Sequence, residues 1–209
     1  MKETLNGLYV ITDDKLTPLE TLGKSVTKAI NGGTNIVQLR DKISSDETIE
    51  KTSLMLQELC RASGVLFVIN DKIDIAIKLS LDGLHIGKSD HAIFDDIRSK
   101  FKGILGVSCY GDVEMALNFE RRGADYVAFG SFFTSSTKPL ANVVDLSILD
   151  EAKEKLTIPI CAIGGINTHN LHDVLSHKPD MICVINDIWS SDDIQNRSLH
   201  YRQTIEEEQ

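Results

Sequence analysis

Four kinds of side chain recur at intervals along this chain, and each suits the handling of anionic ligands. Gln38, Arg40 and Lys42 alternate in the run 37–42, so as an extended strand they share one face while Val37 and Leu39 take the other. Asn70-Asp71, Asp90 and Ser108 follow at later strand ends, then Ser135-Ser136-Thr137-Lys138, Gly164-Gly165 and Ile185-Asn186. Arg40, Lys42 and Lys138 can neutralise a pyrophosphate, Arg through its planar fork and Lys as point charges. Asp71 and Asp90 would repel such a ligand by themselves. With Mg²⁺ between them and the phosphate oxygens the repulsion becomes attraction, since Mg²⁺ takes one or two carboxylates plus phosphate and water. A second anion site is suggested by Gly164-Gly165 and the backbone after Ile185.

Any one of these signals has a bland counterpart. Asn70-Asp71 could close a turn, Asp90 could cap a helix near Ala92, and 135–138 could be a solvated loop. Their meaning depends on whether the chain brings them to one place, and the order of elements says that it does. Apolar, β-rich runs at 8–12, 36–42, 65–71, 83–87, 104–108, 126–130, 159–163 and 181–185 alternate with helical patterns. The helices are expected over 18–30, from Ser45 to 63, 74–79, 92–101, 112–122, from Asp145 to 156, and 170–176. A closing helix is expected after 191, with Glu206 to Glu208 as a loose tail. Eight strand–helix units without a composition break predict one (β/α)8 TIM barrel spanning 1–209. In that fold the ends of the strands form a single rim, which is where all of these residues lie. A doubly wound open sheet is the alternative, but the first strand has no GxGxxG turn.

Composition narrows the function. A net charge of −9 argues against nucleic-acid binding, which needs clustered cations, yet leaves room for a local cationic pocket. No apolar run approaches the roughly 18–20 residues of a membrane span, and the start Met1-Lys2-Glu3-Thr4 is not a signal peptide, so a cytoplasmic protein is expected. Cys60, Cys109, Cys161 and Cys183 lack metal-ligand spacing and predict buried free thiols. His85 is expected to be structural, and the other five histidines to lie on helices or the surface.

The motifs Gln38-Leu39-Arg40-Asp41-Lys42, Ile69-Asn70-Asp71, Leu84-His85-Ile86-Gly87 with Asp90, Gly106-Val107-Ser108, Thr137-Lys138 and Ala162-Ile163-Gly164-Gly165-Ile166 resemble, in order and spacing, those of thiamine-phosphate synthases. The resemblance implies a Mg²⁺-dependent transferase joining hydroxymethylpyrimidine diphosphate to hydroxyethylthiazole phosphate, or its carboxylated form, with release of pyrophosphate. It implies that Gln38, Leu39, Arg40, Asp41, Lys42, Asn70, Ser108 and Lys138 hold the pyrimidine diphosphate, with Arg40, Lys42, Ser108 and Lys138 as the catalytic set. Asp71 and Asp90 would hold the metal. Ser135, Ser136, Thr137, Gly164, Gly165, Ile185 and Asn186 would surround the thiazole phosphate. A homo-oligomer stays open as the assembly.

The chain departs from the family pattern at Ser131 and Ser135, at Asn186 where serine is usual, and at Tyr110 where histidine is frequent. A sibling thiazole tautomerase on the same barrel relies on a histidine near that last position, so Tyr110 favours the synthase. A non-catalytic phosphate-binding barrel would show gaps in the constellation. The loop over 132–144 is the candidate lid.

Overall fold

The structure, a computed structural model, describes residues 5–134 and 143–208. Eight parallel strands close into a barrel in chain order: β1 (Gly7–Ile11), β2 (Ile36–Leu39), β3 (Leu66–Asn70), β4 (Gly83–Ile86), β5 (Ile104–Tyr110), β6 (Tyr126–Phe129), β7 (Ile160–Ile163) and β8 (Met181–Val184). Tyr9 of β1 lies opposite Cys183 of β8, which completes the ring and confirms the (β/α)8 expectation. Around it run α1 (Leu19–Asn31), α2 (Asp46–Ala62), α3 (Ile73–Leu79), α4 (Phe94–Lys100), α5 (Val113–Arg121), α6 (Ser147–Lys155), α7 (Leu171–Leu175), α8 (Asn186–Trp189) and α9 (Ile194–Glu208). Among the described residues no helix is long and apolar enough to cross a membrane.

Strand alternation divides the core in two. Leu8, Val10, Val37, Leu39, Leu84, Ile86, Ile182 and Val184 point outward and pack under the helices. Tyr9, Ile11, Ile36, Val68, Tyr126, Ala128, Cys161, Met181 and Cys183 fill the barrel interior. All four cysteines are buried free thiols, as expected. Burial, with a smaller contribution from the Asp112 charge, pushes Cys109 up to about 12, far from a reactive thiolate.

The interior also carries a polar chain. Gln38 Nε2 donates to Tyr9 Oη at 2.5 Å, and the Tyr9 and Tyr126 hydroxyls share a bond of 2.9 Å. Tyr126 Oη lies 2.9 Å from His85 Nδ1, and His85 Nε2 lies 2.9 Å from Ser108 Oγ. The Tyr126 ring fits only because residue 106 is glycine, where a Cβ would sit 2.0 Å from the ring. Burial raises the pKa of both tyrosines well above the ordinary value, so they stay neutral and serve as hydrogen-bonding groups. Replacing Tyr126 by Phe keeps the ring but removes the hydroxyl that bonds Tyr9 Oη and His85 Nδ1. Urea denaturation should report a loss of about 1–3 kcal/mol.

Two helices, α2 and α5, start on side-chain caps. Ser45 Oγ accepts the Thr48 N–H, and Asp112 Oδ1 accepts that of Met115. The acidic end differs from expectation: α9 stays helical through Glu208. Its inner face mixes Tyr201 and Ile205 with Ser198 and Thr204, all buried, and those hydroxyls weaken the apolar pattern that would announce a helix. Trp189 Nε1 donates to Ile11 O at 2.6 Å, tying the last barrel unit to the first.

Candidate active site

A cavity of about 960 Å³ opens at the C-terminal ends of the strands, within the roughly 300–1,000 Å³ usual for small-molecule sites. Gln38, Arg40, Asn70, Ser108, Gly164, Gly165, Ile185 and Asn186 all line it, so the structure gathers residues from five strands into one mouth. Inward parity explains the floor: Gln38, His85 and Ser108 follow interior positions of β2, β4 and β5. The polar chain beneath fixes Gln38 and Ser108 in relation to each other.

Arg40 is held where β2 ends. Thr12 Oγ1 accepts its N–H at 3.0 Å, and Thr12 N–H in turn donates to Gln38 O. Among the described residues the Arg40 guanidinium enters no ion pair. The alternation that puts Gln38 and Arg40 on the cavity side does not reach Lys42. β2 stops at Leu39, and the Asp41 carboxylate accepts the Ile43 and Ser44 N–H groups in a turn. Lys42 is exposed and its N–H faces Asp14, while Leu39 packs in the outer core. Leu39, Asp41 and Lys42 are therefore outside the cavity lining.

Lys88 lies inside it, a cation that the sequence reading passed over. Its N–H donates to Tyr110 Oη at 3.2 Å, at the start of a 3-10 turn over Lys88–Ile93. Among the described residues the one carboxylate in the lining is Asp187, and it is already engaged. Arg197 Nη1 lies 3.1 Å from it and the Tyr201 hydroxyl donates at 2.7 Å. In a chain of net charge −9, the cavity is thus cationic.

Asp71 and Asp90 stand beside this cavity rather than in its wall. Asp71 has φ 60°, a left-handed conformation that Asp tolerates better than most residues, and its N–H donates to His85 O. The Asp71 carboxylate and the Tyr110 hydroxyl flank Gly87, each 3.8 Å from where a Cβ on that residue would sit. Asp90 follows within the same turn, its N–H bonded to Gly87 O and its carboxylate accepting from Ser89 Oγ. Among the described residues no three His, Cys, Asp or Glu side chains cluster. A pair of carboxylates beside an anion pocket fits Mg²⁺, which completes its shell from phosphate and water, and fits poorly a softer ion needing three or four protein ligands.

Ser135, Ser136, Thr137 and Lys138 lie outside the described residues, as does most of the candidate lid. The residues leading to them run against the β7 loop: Phe132 N–H donates to Ile163 O and Phe133 N–H to Gly164 O. A Cβ at Gly164, where φ is 108°, would fall 2.0 Å from Ser131 Oγ and 2.5 Å from its Cα. Gly164→Ala should therefore displace both loops, weakening ligand binding and lowering stability by at least about 1–2 kcal/mol in a denaturant titration.

His85 was read from the sequence as structural, and it does sit in the buried chain, but it also lines the cavity. His169, expected on a helix or the surface, lines it too, with Asn167. The parity of β4 was the available signal for His85; nothing local marked His169.

A sequence model of the family described as thiamine monophosphate synthase matches residues 8–188. The chain belongs to this family. The thiamine-phosphate synthase of Wolinella succinogenes is 43% identical over 191 residues, covering 89% of this chain and 86% of that one. The corresponding protein of Nitrosococcus oceani is 37% identical, covering 97% and 94%. Among solved structures, thiamine phosphate pyrophosphorylase from Pyrococcus furiosus superposes with a TM-score of 0.87 at 33% identity, covering 99% of this chain and 98% of that one. A 3-hexulose-6-phosphate synthase, at 17% identity and a TM-score of 0.68, shares the fold. Membership in the thiamine monophosphate synthase family makes the chain a transferase of thiamine biosynthesis acting on small molecules.

Proposed function

We propose that the chain condenses 4-amino-2-methyl-5-hydroxymethylpyrimidine diphosphate with 4-methyl-5-hydroxyethylthiazole phosphate, or its carboxylated form, in the cytoplasm. The observation that carries this reading is the cationic cavity of an acidic protein, with a glycine pair in its lining and, beside it, two carboxylates, Asp71 and Asp90, that enter no ion pair among the described residues. Gln38, Asn70 and Ser108 hold the pyrimidine ring on the polar floor. Arg40, with Lys88 beside it and Lys138 from the loop beyond the described residues, takes the diphosphate. Gly165, Ile185 and Asn186, with Ser135, Ser136 and Thr137, take the thiazole phosphate at the other end. Asp71 and Asp90 would hold Mg²⁺, which supplies charge neutralisation for the diphosphate oxygens.

The reaction is dissociative in this reading. The C–O bond of the pyrimidine methylene breaks and its electron pair leaves with pyrophosphate. The resulting cation is captured by the lone pair of the thiazole nitrogen, forming the C–N bond; a carboxylated thiazole in addition loses its carboxylate as CO2, and a proton from water takes its place on the ring carbon. No proton is lost from the ring nitrogen, so no general base is needed, in keeping with a cavity whose polar chain consists of three hydroxyls, one amide and one histidine. The protein's part is to stabilise charge building on the leaving group and to seat the second ring in line. Pyrophosphate release should need both substrates together. Equal release from the diphosphate alone would make the site a hydrolase, and turnover of the thiazole phosphate alone would favour the tautomerase.

A further inference from the structure

The loop after β7 holds a backbone arrangement whose parts point to one purpose. Gly164 and Gly165 both adopt positive φ, 108° and 68°, and both of their carbonyl oxygens are anchored. Gly164 O accepts from Phe133 N–H at 2.9 Å. Gly165 O accepts from two side-chain amides, Asn167 Nδ2 at 3.2 Å and Asn170 Nδ2 at 3.1 Å. In a trans peptide the N–H points opposite to the C=O. Anchoring these carbonyls therefore sets the directions of the Gly165 and Ile166 N–H groups. Among the described residues neither of those N–H groups donates to a protein acceptor, and both residues line the cavity. Successive N–H groups of this kind make a nest for an anion.

The two asparagines also brace each other. Asn170 Oδ1 accepts the Asn167 N–H at 2.8 Å, and Asn167 Oδ1 accepts the His169 N–H at 2.9 Å. Closing the turn uses the amide oxygens; the amide nitrogens are left for Gly165 O.

We propose that Asn167 and Asn170 are positioning residues for the phosphate of the thiazole substrate, acting through the Gly165–Ile166 peptide. The inference rests on the reading above that this phosphate sits at Gly165. Asn170→Asp separates the two roles, because it keeps the oxygen that accepts the Asn167 N–H and removes the donor to Gly165 O. Asn167→Ala removes the other donor without adding charge, together with the acceptor of the His169 N–H. Each variant should raise KM for thiazole phosphate about tenfold, the scale of one lost hydrogen bond of about 1.4 kcal/mol, and leave KM for pyrimidine diphosphate unchanged. Affinity for the phosphate-free thiazole alcohol, measured by calorimetry, should stay the same. A wild-type KM in Asn170→Asp would mean that the amide only closes the turn, and a parallel rise for both substrates would mean general loosening; either result overturns the proposal. A wild-type enzyme that binds the alcohol as tightly as the phosphate would instead remove the underlying placement of the phosphate, and this inference with it.

Discussion

Arg40→Ala is expected to lower kcat by about 10²–10³-fold, the range for removing a preorganised group aimed at charge that develops in the transition state. The side chain lines the cavity and, among the described residues, pairs with no carboxylate. Its loss therefore breaks no structural ion pair, and the melting temperature should hardly move. Arg40→Lys should recover part of the rate, since a point charge replaces a planar fork. If leaving-group charge is what Arg40 stabilises, kcat falls with kcat/KM, whereas loss of ground-state binding alone would raise KM and spare kcat. Unchanged turnover in Arg40→Ala would remove Arg40 from the leaving-group pocket.

The second large effect concerns Asp71 and Asp90, and its sign depends on the metal. Asn is the better replacement at 71, because an alanine at φ 60° would add backbone strain of about 1–2 kcal/mol unrelated to the metal. Wild type should bind pyrimidine diphosphate more than tenfold tighter with Mg²⁺ than with a chelator, given coupling of about 1.4 kcal/mol or more. Asp71→Asn and Asp90→Asn should lose that dependence. In the chelator the variants should bind the diphosphate as well as wild type or better, because each removes a like charge. Variants weaker than wild type even without metal would show that the carboxylates act on the fold or on the ring instead.

The elements of this chain were legible because each strand is a short β-rich run bounded by glycine or a capping residue. Alternation along the second strand put Gln38 and Arg40 on one face, and Ser108 was legible as the end of the fifth strand. What stayed hidden depended on where regular structure stops. Lys42 looked equivalent to Arg40 by alternation, yet the Asp41 turn ends the strand between them. Lys88 entered the cavity through a 3-10 turn that no periodicity announces. The neutralisation of Asp187 by Arg197 and Tyr201 pairs residues from separate helices, a contact that sequence spacing does not encode. The joint action of Asn167 and Asn170 on one carbonyl was equally invisible, since each looks like an ordinary turn residue.

The proposed seating of two phosphorylated rings and a divalent ion at one barrel mouth is open to direct measurement. It is tested most directly by incubating the protein with pyrimidine diphosphate and thiazole phosphate, with Mg²⁺ or with a chelator, and measuring thiamine phosphate by mass spectrometry. With Mg²⁺ one thiamine phosphate should form per pyrophosphate released, and in the chelator almost none. Absence of thiamine phosphate with both substrates and Mg²⁺ present would contradict it.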